Sequence, residues 1–393
     1  MSPEQAQTEV PADGDLRSHF GGAVDLGNPA GVSKRGPVGA GSDLDPLRGR
    51  REVNAPRVRQ EVGALCAGHE IIAFKFGGTS LLGAKRMLHA ASLVRPVAQY
   101  SHVVVVVSAM KGVTDRLLAI AQDLSHRKNH RARAEAEAVL RLHHDALCEL
   151  PLESSDRDRV SYELDSLGRD LLHEVPLHGH VPATPELVDR LASFGERFSA
   201  RLFAAALKCS DVPAVPVSSS EFVLTCDTFQ DAKPQLEQTR RRGRAVLSPL
   251  LEAGVVPVVT GFIGATPDGR ITTLGRNSSD FSGAIIAHVV DADELVIWTD
   301  VDGIYTENPN ECAQAKLLHD LSYDEAHALA ASGAKVLHPH VLPLAAETEM
   351  TIWVRNTFKP QVRGTRIGAR RASNNSLRRG LLQQGPSQPG GVA

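Results

Sequence analysis

The sequence predicts a three-layer αβα sandwich with a largely parallel central sheet. Three observations carry that expectation. Short β-branched apolar runs recur, chiefly Val103-Val104-Val105-Val106-Val107 and Val255-Val256-Pro257-Val258-Val259. Continuous runs of this kind are buried on both faces, as central parallel strands are. Amphipathic helical stretches separate them, giving a β-α-β-α order. Finally, the strands end in glycine, hydroxyl and charged residues, and in open α/β sheets ligands bind at that C-terminal edge.

The elements follow in order. Ile71–Phe76 reads as a strand, then Gly77-Gly78-Thr79-Ser80 as a turn whose hydroxyls can cap the next helix. Lys75 is a charge inside this apolar run, so it must exit at the strand's end or meet an anion. Taken alone, the segment serves equally as a phosphate site or as a strand-to-helix turn with a solvent-facing lysine. Residues 83–98 form a helix with Leu88, Ala91, Leu93 and Val94 on its apolar face. The strand His102–Val107 follows and leaves through a small-residue loop, Ser108 to Asp115. Residues 125–180 are charged and helical, one or two amphipathic helices inserted between sheet elements. Their histidines show no zincin pattern and suit a solvated surface.

Helix 184–208 places Glu196 among small and apolar residues, where a carboxylate needs a partner or a ligand. A strand at 212–217 and a helix at 235–253 lead to the strand 255–264. Pro267-Asp268-Gly269-Arg270 is a hairpin-type turn. Gly275-Arg276-Asn277-Ser278-Ser279-Asp280 then runs into a helix at 281–290. The strand 294–298 ends at Thr299-Asp300. Helices 322–332 and 340–348 and the strand 351–355 complete the fold, with no internal repeat.

Length and composition bound the rest. The chain has 393 residues, 42% apolar and 23% charged, within the globular range. Residues 1–68 hold 11 glycines, 6 prolines and one aromatic, and read as a disordered extension. Residues 69–367 read as the folded domain, and 368–393 as a flexible polar tail. Lys+Arg 43 against Asp+Glu 46 leaves a net charge of −3, no footprint for nucleic-acid binding. The five cysteines are scattered without a CxxC pair, which argues against disulfides and zinc. No apolar run is long enough for a membrane span and no secretory signal is visible, so a cytoplasmic location is expected.

If the sheet is parallel, four exits converge. They bring together Lys75 with Gly77-Gly78, Ser108 with Thr114, Arg276 with Asp280, and Thr299 with Asp300. Cations, turn amides and hydroxyls at one edge suit a polyphosphate and a small acidic partner, as phosphoryl transfer requires. Lys75 would bridge donor and acceptor oxygens, and Asp280 would orient that lysine or hold a magnesium-bound water. Neither a GxxxxGK[ST] loop nor a GxGxxG turn after a strand is present.

Seven motifs occur in one order: KFGGTS (Lys75–Ser80), SAMKGVT (Ser108–Thr114), GER (Gly195–Arg197), GRNSSD (Gly275–Asp280), WTDVDGIY (Trp298–Tyr305), GAKVLHP (Gly333–Pro339) and NTF (Asn356–Phe358). Together they resemble the catalytic domain of the aspartokinases, within the amino-acid-kinase family. The resemblance implies the amino-acid-kinase fold and ATP-dependent phosphorylation of the L-aspartate side-chain carboxylate, the entry to lysine, threonine and methionine synthesis. Lys75 matches the catalytic lysine, Asp280 the residue that positions it, and Arg276 the grip on a substrate carboxylate. Thr114 and Glu196, with Ser108, match aspartate binders. Gly77 and Gly78 match the phosphate turn, and Thr299, Asp300, Tyr305, Lys335 and Val336 the nucleotide pocket. Mg2+ would arrive with ATP, held mostly by phosphates and water, with no protein metal ligand assigned.

Departures from the family pattern accompany the match. Ser278 stands where the family has glycine, Phe281 where it has tyrosine. Asn308 and Asn310 stand where it has aspartate and a phosphate-contacting arginine, which touches ATP affinity and leaves two alternatives open: a catalytically weak paralogue acting as a binding or regulatory protein, and a kinase for another small carboxylate or carbamate. About 26 residues follow Ile367, too few for the paired ACT domains of the family. The expectation is therefore no feedback inhibition by lysine or threonine within this chain. Self-association or a regulatory partner subunit is left open by the sequence.

Overall fold

A computed structural model describes residues 70–369, apart from 177–179, 181, 277, 308, 310, 313 and 332–336. The expected N-terminal extension falls outside the described residues, as does nearly all of the tail. So do Lys335, Val336, Asn308 and Asn310.

The sheet has eight strands: β1 (Ile71–Phe76), β2 (His102–Val107), β3 (Ala214–Val217), β4 (Val256–Thr260), β7 (Glu294–Thr299), β10 (Asp320–Leu321), β11 (Thr351–Asn356) and β12 (Thr365–Ile367). Their spatial order is β10-β12-β11-β7-β1-β2-β4-β3. From β11 to β3 every pairing is parallel, and only β12 against β11 is antiparallel. The largely parallel sheet is as expected. The short strands β10, at the sheet edge, and β12 beside it were not, because two or three residues carry no readable periodicity.

The two sheet faces are covered by different helices. One face packs under α1 (Gly83–Ala98), α2 (Val113–Ser125), α3 (Asn129–Cys148), α4 (Ser154–Glu174) and α5 (Pro185–Lys208). The other packs under α6 (Leu236–Glu252), α7 (Ser279–Val289), α8 (Tyr323–Ala331) and α9 (Val341–Glu347). The strand alternation sorts residues between them: Val103, Val105 and Val107 enter the first core, Val104 and Val106 the second. All five valines are at most 2% exposed. Burial on both sides is why β2 shows no polar alternation, each valine contributing about 1.5–3 kcal/mol.

Some boundaries differ from expectation. The run at 255–264 is two strands, β4 and β5 (Ile263–Ala265), broken at Phe262, whose φ is +65°. β5 pairs with β6 (Ile271–Thr273) as the expected hairpin, with Gly269 at φ +87° in its turn. A small ladder, β8 (Ile304–Tyr305) with β9 (Leu317–Leu318), follows β7. On α1 the buried face is Ala84, Met87, Ala90, Ala91, Val94 and Val97; Leu88 and Leu93 only flank it. Cys148, Cys209, Cys226 and Cys312 are free thiols. Among the described residues no helix is long and apolar enough to cross a membrane.

Candidate active site

Alternation along β1 decides where Lys75 goes. Ile72, Phe74 and Phe76 enter the core beneath α1 and α5, so Ala73 and Lys75 face the opposite side. That side is covered by α7, so closely that a Cβ on Gly283 would come within 3.2 Å of Lys75 Cβ. Helix α7 starts at Ser279, two residues earlier than expected, which puts Asp280 in its first turn. A carboxylate there is favoured by the helix dipole. Lys75 Nζ lies 2.7 Å from Asp280 Oδ1, and Lys75 is only 7% exposed. An ammonium buried this far needs such a countercharge.

The glycine turn works by close approach rather than unusual dihedrals. Gly77 is extended, with φ −74° and ψ 160°. A Cβ on Gly78 would meet the Ala109 carbonyl oxygen at 2.6 Å and the Lys111 nitrogen at 3.1 Å. Gly77 N–H donates to the Trp298 carbonyl (3.2 Å), and the Gly78 carbonyl accepts from Lys111 N–H (3.1 Å). The exits of β1, β2 and β7 are thereby joined at the glycine pair. The expected hydroxyl caps are not formed. Residues Gly78–Leu81 make one 3-10 turn, and α1 begins with no side-chain cap. Ser80 is fully buried instead, its hydroxyl 2.7 Å from that of Thr357 beyond β11.

Glu196 belongs to α5, which Thr184 caps by accepting from Leu187 N–H at 3.2 Å. Gly195 lets α5 close on the β2 exit, since a Cβ there would lie 2.6 Å from Ala109 Cβ. Glu196 Oε1 accepts from Ala109 N–H at 3.0 Å. Oε2 is buried with no hydrogen-bond partner. Burial pushes the carboxyl up to about 8, against the opposing pull of the Ala109 N–H and the charge of Lys75. Such a group gains from any cation brought beside it.

A cleft of about 940 Å³ opens at this edge. Gly78, Ser108, Thr114, Glu196, Arg276 and Ser279 are among its lining residues. Across its mouth Arg276 Nη2 pairs with Asp115 Oδ1 at 2.8 Å, both side chains about three-quarters exposed. The β1, β2 and α7 groups expected to converge do so.

Thr299 and Asp300 leave β7 on the neighbouring strand exit, where Phe76 and Trp298 stand in register. Thr299 Oγ1 is 3.4 Å from Asp300 Oδ1. Asn356 Nδ2 donates to the Asp300 carbonyl (3.3 Å) and to Asp302 Oδ1 (2.5 Å). Lys359 Nζ completes the group, 3.1 Å from Asp302 Oδ2. Tyr305 lies in β8, backbone-paired with Leu317. Among the described residues no cluster of three His, Cys, Asp or Glu is arranged to hold a metal ion.

Three carboxylates at this edge escaped the sequence reading: Asp115, Asp189 and Asp302. Asp189 left a usable signal. It stands seven residues before Glu196 on α5, two turns away on the same buried face.

The comparisons with known proteins agree with this fold. Residues 70–356 match the model of the amino acid kinase family. Lysine-sensitive aspartokinase 3 of Escherichia coli is 33% identical over 298 residues, covering 76% of this chain and 64% of that protein. Chloroplastic aspartokinase 1 of Arabidopsis thaliana is 30% identical, covering 87% and 60% respectively. The chain thus spans less than two thirds of the length of either relative. Among solved structures, E. coli aspartokinase III in complex with aspartate and ADP superposes with a TM-score of 0.67 at 32% identity, over 76% of this chain and 64% of that one. Fold, motif order and family match converge: the chain belongs to the amino acid kinase family.

Proposed function

We propose that this chain transfers the γ-phosphoryl group of ATP to the side-chain carboxylate of L-aspartate, giving 4-phospho-L-aspartate and ADP. The Lys75–Asp280 pair beside the glycine turn carries the reading. The acceptor carboxylate is already ionised at neutral pH, so no general base is needed. One of its oxygens attacks Pγ, the bond from Pγ to the β,γ-bridging oxygen breaks, and ADP leaves with that oxygen and the electron pair. What the site must supply is alignment and cancellation of charge. Lys75 places its ammonium between the attacking and leaving oxygens, and Asp280 holds it there. Gly78 lets the β2 exit close against the turn that would face the phosphates. Arg276 grips the α-carboxylate, bidentately. Glu196, ionised by the approach of the α-ammonium, pairs with it, while Thr114 and Ser108 offer hydroxyls to the substrate.

Thr299, Asp300 and Tyr305 are assigned to the nucleotide, with Lys335 and Val336. A Mg2+ ion fits as a partner of the ATP phosphates, because Asp280 and Asp302 are already committed to Lys75 and to Asn356 with Lys359. When bound it would neutralise phosphate charge. The aspartate and ADP bound by the E. coli structure support the substrate pair. Such a product opens lysine, threonine and methionine synthesis.

A hydroxamate assay with ATP, Mg2+ and a panel of acceptors tests the reading. Aspartyl hydroxamate with aspartate, and none with glutamate, is the expected result. Turnover of glutamate but not aspartate would overturn the substrate assignment.

A further inference from the structure

Asp189 is a buried carboxylate with no catalytic assignment. It is 1% exposed and lies on α5, seven residues before Glu196. Its Oδ2 accepts from Gln230 N–H at 2.9 Å and from Thr273 N–H at 2.8 Å. Its Oδ1 accepts from the Thr273 hydroxyl at 2.8 Å. The same Thr273 accepts at its carbonyl from Ala232 N–H, at 2.9 Å. Three segments distant in sequence therefore meet on one side chain: α5, the 226–232 loop and the end of β6.

Arg276 follows three residues after Thr273. Between them stands Gly275, with φ +90°, a dihedral that side chains other than glycine rarely adopt. A Cβ there would meet Asp231 Oδ1 at 3.1 Å. The path from Thr273 to Arg276 is thus an anchored strand end and one tight elbow. Burying a carboxylate is costly, and burial indeed pushes Asp189 up from its ordinary range despite its hydrogen bonds. Asp189 lines the cleft together with Glu196 and Arg276, yet its oxygens are taken up by two backbone N–H groups and one hydroxyl, which suits a residue that fixes a position.

We infer that Asp189 is a positioning residue for Arg276: it locks the elbow so that the guanidinium and Glu196 are held by one helix at a set separation. The inference rests on the proposed grip of Arg276 on the substrate carboxylate. Helix α5 then sets both ends of the amino-acid subsite, Glu196 directly and Arg276 through Asp189.

Steady-state kinetics of the full chain test it. Asp189→Ala should raise the KM for aspartate by on the order of tenfold, since small misplacements of binding groups are this costly. The KM for ATP should stay within about twofold. Asp189→Asn should recover most of the loss, because its amide oxygen can accept both N–H groups and its NH2 can donate to the Thr273 hydroxyl. Thr273→Val removes one of the three bonds and should show a smaller rise, which keeps the test open if Asp189→Ala does not fold. In an Arg276→Ala background, Asp189→Ala should add little, as expected for residues acting through one another. An unchanged aspartate KM in Asp189→Ala, or in Thr273→Val if that variant alone folds, overturns the inference. So does an Asp189→Ala effect of undiminished size without Arg276. If Arg276→Ala itself leaves the aspartate KM unchanged, the proposed grip is overturned, and this inference with it.

Discussion

Arg276 Nη2 and Asp115 Oδ1 sit 2.8 Å apart across the mouth of the cleft, from segments 161 residues apart in sequence. The guanidinium assigned to the substrate carboxylate is thus held by a carboxylate of the chain. On the proposed grip, substrate competes with Asp115 for it.

Asp115→Asn should therefore lower the KM for aspartate, by about two- to fivefold given how little exposed ion pairs are worth. The difference from the parent should shrink in high salt, which screens charges at an open cleft mouth. Aspartate titrations at low and high ionic strength check both points. A rise in KM would mean that Asp115 itself binds substrate.

Glu196 makes a pH-dependent prediction. Its carboxyl is raised from 4.5 to about 8 by burial. Between those values the unfolded chain has released a proton that the folded chain keeps, so this group's stabilising contribution falls as pH rises. Glu196→Gln removes that slope. Its Tm advantage over the parent should be near zero at about pH 4.5 and largest above about pH 8. Aspartate binding runs the other way. Pairing with the α-ammonium needs ionised Glu196, so the parent's aspartate KM should fall as pH approaches 8, and the variant should lose this trend. Thermal melts and KM measured across that range test it.

The two glycines of the turn should behave differently. Gly78→Ala drives a methyl into the Ala109 carbonyl and should cost about 1–3 kcal/mol, as overpacking does. Gly77→Ala meets nothing closer than 3.7 Å and keeps ordinary dihedrals, so it should cost little. Urea unfolding of the two variants separates them. Equal stabilities would contradict the packing argument.

Much of this edge was legible in the sequence. A lysine in an apolar strand, a glutamate on a buried helix face and repeated small-residue exits each violate a rule of ordinary packing. Such violations need a site to explain them, and the exits of β1, β2 and β7 do share one sheet edge, while Arg276 and Asp280 arrive from the separate hairpin strand β6. Parallel pairing could be read from the run of five valines in β2, because a strand covered on both faces dispenses with polar alternation.

Other features were hidden for physical reasons. The end of β4 was invisible because Gly261-Phe262 interrupts an apolar run by dihedral angle alone, without a change in polarity. Ser80 looked like a helix cap, and only the position of Thr357, 277 residues away, shows its real partner. Asp115 pairs with Arg276, far off in the chain, so no local spacing announces it; Asp189 shows only its place on the buried face of α5, and not its partner Thr273.

The central claim is that Lys75, held by Asp280, neutralises the phosphoryl group in transit. Lys75→Ala, assayed for aspartyl hydroxamate with ATP and Mg2+, tests it most directly. The account predicts a loss of at least about a hundredfold in kcat, the scale seen when one transition-state donor is removed, with thermal melting showing an intact fold. Activity within a fewfold of the parent would contradict it.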